Sequence, residues 1–310
     1  MRVVFMGTPD FAVPSLQALC ENGYDVTLVV TQPDKPQGRK QILTPSPVKE
    51  YAIAQNIPVF QPVSMKTQES FDMIASQTPD FIVVTAFGKI LPKNILDLPK
   101  YACINVHGSL LPQYRGAAPI QWSVLNGDKK TGLTTMLMDV GLDTGDILMQ
   151  EETEIPEDET AGELFDRLAV MTGPILLKTL DAFVKGEITP QKQQDENASY
   201  VSVLKKEMAV VDWNQPANVI HNLVRGMHPW PVAFTRLNGK TLKIHVSRVS
   251  EKIYGNAIGE VVCFDGNIFV RCGNDTCLQL LSIQLEGSKR MDADVFLRGR
   301  AIEPKTVLGD

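Results

Sequence analysis

One short stretch of this 310-residue chain, INVHGSLLPQYRGAAPIQ at residues 104–121, places an amide and an imidazole together. Asn105 and His107 end an apolar run and are two positions apart, so on a β-strand both side chains point to the same face. An amide N–H can stabilise a developing oxyanion, and an imidazole titrates near neutral pH and can move a proton. The pair therefore predicts acyl-transfer chemistry at the end of a strand.

A carboxylate is the third group that this chemistry requires, and the stretch MDVGLDTGDIL offers three candidates. Asp139, Asp143 and Asp146 surround two glycines after another apolar run. A carboxylate brought against His107 would hold the imidazole in place and raise its basicity. Spacing along the chain does not choose among the three aspartates.

A covalent nucleophile is not evident near this histidine. Ser109 is not in a G-x-S-x-G elbow. Cys103 lies on a strand that we expect to be buried, but it faces the same side as Asn105 and His107 and so remains a candidate. Asn, His and Asp without a nucleophile favour direct transfer of an acyl group between two bound substrates, with hydrolysis as the alternative. The first strand is followed by GTPDFA rather than G-x-G-x-x-G, and G-x-x-x-x-G-K-[ST] is absent, so we expect neither a nicotinamide cofactor nor ATP.

The elements that must position these groups alternate between apolar runs and helical periodicity up to residue 183. Runs that are apolar on both faces suit an open, mostly parallel α/β sheet covered by helices, which binds ligands at the carboxyl ends of its strands. The predicted strands are 2–6, 26–31, 59–60, 80–86, 103–107, 132–138 and 147–151, and the predicted helices are 11–21, 46–55, 67–76, 117–125 and 160–183.

The pattern changes after residue 188. Residues 189–199 are polar without an apolar period, which predicts a linker. Short alternating runs follow, joined by Asn238-Gly239 and Asp265-Gly266, the strongest short signals for hairpins. They predict a small β-barrel or sandwich preceded by one helix near residues 216–227. We therefore divide the chain into domains 1–188 and 205–310, joined by a linker at 189–204.

Charge and cysteine content limit the classes of function. The net charge is −6, yet residues 205–310 carry 14 Lys and Arg against 11 Asp and Glu, a balance of +3 that favours a polyanionic partner. The five cysteines are scattered without a C-x-x-C, which argues against a disulfide framework or structural zinc and fits a reducing compartment. With no secretory signal and no apolar run of membrane length, we expect a cytoplasmic protein without a membrane partner.

INVHGSLLPQYRGAAPIQ followed by DVGLDTGD closely resembles the folate-dependent formyltransferases, which pair an Asn-x-His strand end and an SLLP turn with an Asp in a glycine-rich loop. The resemblance covers essentially the whole chain. The stretches VFMGTPDFA, TQPDKPQGRKQILTPSPVK and HPWPVAF, with the C-terminal β domain, resemble the members that act on a tRNA. The resemblance implies an N-terminal Rossmann-like formyltransferase domain and a C-terminal OB-fold-like β-barrel that binds tRNA.

The resemblance also implies roles for individual residues. Asn105, His107 and Asp143 match the catalytic trio of the family. The folate-binding positions implied are Ser109, Leu110, Leu111, Pro112, Phe87, Gly88, Ile90, Leu91, Val140, Gly141 and Leu142. The tRNA-binding positions implied are Lys35, Arg39 and Lys40, in a loop that reads GRKQIL where many relatives have GRGKK.

The activity implied is transfer of the formyl group of 10-formyltetrahydrofolate to the α-amino group of initiator methionyl-tRNA, which supplies N-formylmethionyl-tRNA for translation initiation. Folate is then a co-substrate, no metal or nicotinamide takes part, and a monomer is expected. Three alternatives stay open: a formyltransferase for a small amine such as glycinamide ribonucleotide or an amino-sugar nucleotide, a formyltetrahydrofolate hydrolase, and a non-enzymatic RNA-binding protein. Retention of all three polar residues argues against the last.

Overall fold

The computed structural model describes residues 1–37 and 42–309, which form two compact units. The first unit comprises Met1–Pro119, Thr131–Thr153 and Phe165–Val201. The second comprises Ile120–Lys130, Glu154–Leu164 and the described residues after 201. Each unit is therefore assembled from separate stretches of the chain.

The helices and strands have the following order along the chain. Up to residue 154 they are β1 (Arg2–Gly7), α1 (Val13–Glu21), β2 (Asp25–Val30), β3 (Lys35–Gln37), β4 (Ile42–Thr44), α2 (Pro47–Ala54), β5 (Val59–Phe60), α3 (Gln68–Ala75), β6 (Phe81–Thr85), α4 (Lys93–Leu96), β7 (Ala102–His107), β8 (Arg115–Gly116), α5 (Pro119–Leu125), β9 (Lys130–Leu137) and β10 (Ile147–Glu154). Beyond it they are α6 (Ala161–Val184), β11 (Tyr200–Val201), α7 (Ala217–Gly226), β12 (Phe234–Leu237), β13 (Lys240–Val249), β14 (Val261–Phe264), β15 (Asn267–Cys272), β16 (Thr276–Leu285), β17 (Met291–Asp292) and α8 (Ala293–Gly299).

The main sheet of the first unit has seven strands in the order β10-β9-β7-β6-β1-β2-β5. Neighbours from β7 to β5 run parallel, whereas β9 runs antiparallel to β7. Every residue of β6 and β7 is buried, as expected of strands covered on both faces. The predicted mostly parallel α/β sheet is confirmed.

Local chemistry explains where several elements begin and turn. Helix α2 starts after Ser46, whose hydroxyl accepts a hydrogen bond from the Lys49 amide, and Pro47 occupies its first position. The turns Asn238-Gly239 and Asp265-Gly266 have positive φ at both residues, which is the geometry that makes these pairs strong hairpin signals.

The second unit is built around an antiparallel sheet. Its strands follow the order β12-β13-β16-β15-β14, and β17 pairs with β16. Apolar residues of these strands pack with Ala217, Ile220 and Val224 of α7 and with Phe296 of α8 into one buried core. Inside it, the Trp213 indole donates to the Thr235 hydroxyl at 3.1 Å. The predicted C-terminal β domain is confirmed.

Several short elements were not predicted from the sequence, among them α4, β8, β11 and β17. The loop expected after β2 contains the antiparallel pair β3–β4, in which Lys35 faces Thr44 and Gln37 faces Ile42. Helix α8 was not predicted either. A three-residue strand and a seven-residue helix are too short for periodicity to register. Among residues 1–37 and 42–309, no helix is long and apolar enough to cross a membrane.

Candidate active site

Asn105 and His107 lie at the end of β7, in the middle of the main sheet. Both side chains are buried, with 7% and 6% of their surface exposed. The register pairs Asn105 with Met136 and His107 with Thr134 of β9. Alternation along the strand therefore directs both polar groups to one face, as the sequence predicts.

The side-chain amide of Asn105 is buried, and no described residue is its hydrogen-bond partner. It makes no hydrogen bond to any residue in the described part of the chain, and yet neither of its polar atoms is sealed from solvent. A buried amide without a partner costs stability, because its desolvation is not offset. Such a group is suited to bind an oxygen atom that arrives with a substrate.

Contacts of the imidazole of His107 decide which of its nitrogens is available. Nε2 lies 3.0 Å from the backbone carbonyl of Tyr114, and a carbonyl can only accept, so Nε2 carries the hydrogen. Nδ1 lies 3.7 Å from Oδ2 of Asp143. That distance is longer than a hydrogen bond. Nδ1 is therefore the nitrogen left to take up or donate a proton during a reaction.

Asp143 is the aspartate that reaches His107. Its Oδ2 also accepts a hydrogen bond of 2.8 Å from the Gly116 amide, which anchors the carboxylate. Its backbone has a φ of 54°, in the left-handed region that non-glycine residues rarely adopt. Such strain persists only where surrounding contacts hold it.

The loop between β9 and β10 is shaped by Asp139 and by its glycines. Asp139 accepts hydrogen bonds from the Gly141 amide at 3.0 Å and from the Thr144 hydroxyl at 2.8 Å. A Cβ at Gly141 would overlap the Thr144 hydroxyl, and one at Gly145 would overlap the Leu137 carbonyl. Asp139 therefore forms the turn, whereas Asp143 faces the histidine.

The SLLP turn after β7 is held by a buried hydroxyl. Thr134 Oγ1 donates to the Ser109 carbonyl at 2.7 Å and accepts from the Leu111 amide at 3.1 Å. Gln150 donates to the Leu111 carbonyl at 2.9 Å and to the same hydroxyl at 3.0 Å. The Leu111-Pro112 peptide is cis. These bonds position the residues that the sequence predicts to line the folate site.

We expect Thr134→Val to lower the free energy of unfolding by about 1–3 kcal/mol, because it leaves the Ser109 carbonyl and the Leu111 amide without this partner. The matched control is Thr27→Val, since the buried hydroxyl of Thr27 has no partner in the described structure. Urea unfolding should show the control unchanged or slightly more stable. Equal losses in both variants would contradict the role given to Thr134.

The remaining predicted folate positions divide into buried and exposed residues. Phe87, Leu91, Leu111 and Ser109 are buried, and they support the segments after β6 and β7. Leu110 and Pro112 are half-buried, and Gly88 and Gly141 are exposed. The large apolar side chains of Ile90, Val140 and Leu142 are exposed. Exposed apolar side chains on these loops suit contact with the flat face of a bound ring.

Lys35 is tied to one of these segments through Gln32. Its Nζ donates to the Gln32 side-chain oxygen at 2.9 Å, and the Gln32 amide donates to the Phe87 carbonyl at 2.8 Å. Burial, and then the charge of Lys35, lowers the pKa of Lys89. Arg39 and Lys40, the other two predicted tRNA contacts, lie outside the described residues.

Cys103 is not a nucleophile in this arrangement. It is buried on β7 with its Sγ 3.6 Å from the sulfur of Met138. Burial raises the pKa of this thiol far above its ordinary value, so it stays protonated and unreactive.

A buried arginine beside the site was not assigned by sequence analysis. Arg115 is 1% exposed, and it donates to the side chains of Gln193, Asp195 and Tyr200 at 3.0, 2.9 and 2.9 Å. Burial by itself would lower the pKa of Arg115, but the hydrogen bonds to Tyr200 and Asp195 outweigh it and raise that pKa. These partners belong to the predicted linker, which through Val201 makes its contacts within the first unit.

Comparison with known proteins agrees with this geometry. A family model described as formyl transferase matches residues 1–180, and one described as formyl transferase, C-terminal domain, matches residues 203–301. The methionyl-tRNA formyltransferase of Clostridium novyi (strain NT) is 50% identical over 310 residues, covering 99% of this chain and 100% of the relative. That of Bacillus subtilis (strain 168) is 47% identical over 309 residues, covering 99% and 98%.

Solved structures share the fold. WlaRD, a sugar 3N-formyl transferase crystallised in the presence of dTDP and 5-N-formyl-THF, superposes with a TM-score of 0.69 at 22% identity, covering 93% of this chain and 99% of that chain. Methionyl-tRNA formyltransferase from Clostridium thermocellum gives a TM-score of 0.56 at 21% identity, covering 81% and 94%. Since a matching family model spans more than half of the sequence and full-length relatives share about half of its residues, the chain belongs to the formyl transferase family of enzymes.

Proposed function

We propose that this enzyme transfers the formyl group of 10-formyltetrahydrofolate to the α-amino group of initiator methionyl-tRNA. The observation that carries the proposal concerns Asn105, whose buried side-chain amide has no partner among the described residues. It lies two positions from His107, whose Nδ1 faces the carboxylate of Asp143. These groups can bind the formyl oxygen and move a proton, and together they meet the needs of direct acyl transfer.

In the first step the amine attacks the formyl carbon, a C–N bond forms, and the carbonyl oxygen becomes an oxyanion. Asn105 donates its amide N–H to this oxyanion. His107, when protonated, donates from Nδ1, because Nε2 is engaged with the Tyr114 carbonyl. Donors fixed in a buried site stabilise the developing charge more strongly than water does, since they need no reorganisation.

In the second step the tetrahedral intermediate collapses, and the bond between the formyl carbon and N10 of the folate breaks. The attacking amine must lose one proton and N10 must gain one. Asp143 is positioned to pass this proton with His107, because its carboxylate lies 3.7 Å from Nδ1 and is anchored on the Gly116 amide. The products are the formylated amine and tetrahydrofolate.

We assign the folate donor to the loops that carry Ile90, Val140 and Leu142 and to the SLLP turn, and the tRNA to Lys35, Arg39 and Lys40 and the C-terminal unit. The exposed apolar side chains support a site for the pterin ring. The balance of +3 over residues 205–310, from 14 basic and 11 acidic residues, supports contact with phosphates, which would weaken with salt.

Methionyl-tRNA is favoured over a small amine as acceptor. Relatives named methionyl-tRNA formyltransferase share 46–50% identity over nearly the whole chain. The sugar formyltransferases share the fold at 20–22% identity. These substrates imply a cytoplasmic reaction in translation initiation.

A single assay tests the proposal. The protein is mixed with 10-formyltetrahydrofolate and methionyl-initiator tRNA, and both the aminoacyl end and free formate are followed. Formylated methionyl-tRNA from the wild type, with none from His107→Ala, is the expected result. Formate without formylated tRNA would instead indicate hydrolysis. Formylation of a dTDP-amino sugar in place of the tRNA would indicate a small-amine enzyme.

A further inference from the structure

Residues 191–201, here called the clamp segment, hold the loop that carries Asp143. Gln193 is central, because its amide nitrogen donates to the carbonyl of Asp143 at 2.8 Å and to that of Gly145 at 2.7 Å. Its side-chain oxygen accepts from Arg115 Nε at 3.0 Å. The Gln193 side chain thus bridges the buried Arg115 and two carbonyls of the loop between β9 and β10.

The same segment also holds Gly116, whose amide anchors the carboxylate of Asp143. Strand β11 pairs in parallel with β8, so Tyr200 faces Arg115 and Val201 faces Gly116. Gly116 is the residue whose amide donates to Asp143 Oδ2. Before it, the Ser199 hydroxyl accepts from the Tyr114 amide at 2.8 Å, next to the carbonyl that holds His107. The clamp segment therefore holds both the backbone of Asp143 and Gly116, the residue whose amide binds the carboxylate.

We propose that Gln193 is a positioning residue for the reaction and sets the carboxylate of Asp143 against His107. The role of this pair in catalysis rests on the proposed function, whereas the positioning itself is a property of the structure. Asp143 needs external support because its backbone lies in the left-handed region, with a φ of 54°. The two hydrogen bonds from Gln193 supply that support from outside the loop.

The chain allows a matched test. Gln193→Glu keeps an oxygen for Arg115 but replaces the amide donor with an acceptor, which repels the two loop carbonyls. Gln191→Glu makes the same chemical change in the same segment. Gln191 is exposed, and its hydrogen bonds to Ile147 run through the backbone, so the control should leave the loop unchanged.

Two readouts separate positioning from a general loss of structure. In formyl transfer, Gln193→Glu should lower kcat about 10- to 100-fold while both KM values stay within about threefold, since small misplacement of a reacting group costs rate. In Gln193→Glu labelled with ¹⁵N-glycine, the amide hydrogen of Gly116 should exchange with solvent faster than in the wild type. The Gly141 amide, which is held by Asp139 inside the loop, should not change.

The outcomes are distinct. Wild-type kcat together with an unchanged Gly116 amide in Gln193→Glu would overturn the inference. So would uniformly faster exchange of all glycine amides, because that pattern indicates a structural role only. If the wild type does not formylate methionyl-tRNA, the proposed function fails, but the comparison of Gly116 with Gly141 still decides whether Gln193 positions Asp143. Gln193→Leu, which lacks the added charge, should accelerate hydrogen exchange of the Gly116 amide in the same way.

Discussion

Asn105→Ala is expected to lower kcat for formyl transfer by about 10²- to 10³-fold, the usual effect of removing one oxyanion donor. The amide has no partner in the described structure, so its donor is free for the formyl oxygen. Affinity for both substrates should change little, because the contact strengthens as the oxygen gains charge. Single-turnover formylation with saturating substrates measures the effect directly.

The same substitution should not destabilise the fold through lost hydrogen bonds. The side chain of Asn105 makes none with the described residues, and removing a buried polar group without a partner is close to neutral or stabilising. Asn105→Ala should therefore lose activity without losing stability. The control is Asn94→Ala, which removes a side-chain amide from an exposed position of α4 outside the site. A loss of kcat below about tenfold in folded Asn105→Ala would contradict the oxyanion role.

The sequence could predict the placement of Asn105 and His107, because a single strand, β7, carries both. Asn105 and His107 share a face because strand residues alternate, and an apolar run identifies β7 as a buried strand without any tertiary information. The alternation of strands and helices gave the parallel sheet for the same reason. Both conclusions follow from the hydrophobic pattern within a stretch of about ten residues.

The family resemblance pointed to Asp143, but residue spacing alone could not choose among the three aspartates, because that choice depends on the tertiary structure. Strand β9 runs antiparallel to β7, and the Met138 amide donates to the Cys103 carbonyl, so the loop leaves near the start of β7. It must double back for Asp143 to come within 3.7 Å of His107. No spacing in the sequence reports such a path. It depends on Asp139, on the two glycines and on Gln193.

The clamp segment could not be predicted for a different reason. Its side chains are polar, so it has no hydrophobic period, and it resembles a flexible linker in composition. Its order comes from hydrogen bonds to the buried guanidinium of Arg115, from those of Gln193 to two loop carbonyls, and from the pairing of β11 with β8. An arginine next to a glycine in a strand-end turn was the only local signal, and an arginine in a turn is ordinarily exposed.

Asp143→Asn is expected to lower kcat by about 10²- to 10⁴-fold, the range that a positioned acid or base contributes. The change is nearly isosteric, the new side-chain oxygen can still accept from the Gly116 amide, and asparagine tolerates the left-handed backbone at this position. What is lost is the charge facing Nδ1 of His107 and the ability to carry a proton. Formylation rates under saturating substrates measure the loss.

Asp146→Asn is the matched control. It removes a carboxylate from the same loop, but the hydrogen bond of Asp146 to Leu137 uses its backbone carbonyl and survives the substitution. We expect its kcat to stay within about threefold of wild type. A large loss in this control would mean that the net charge of the loop matters, and not the placement of one carboxylate.

A double-mutant cycle then tests whether Asp143 and His107 act as one unit. If the carboxylate works through the imidazole, His107→Ala combined with Asp143→Asn should be no slower than the slower single variant, because groups that share one proton transfer are not additive. Asn105→Ala combined with Asp143→Asn should be slower than either, since oxyanion binding and proton transfer are separate demands. Multiplicative losses for His107 and Asp143 would instead show that each contacts the substrate independently.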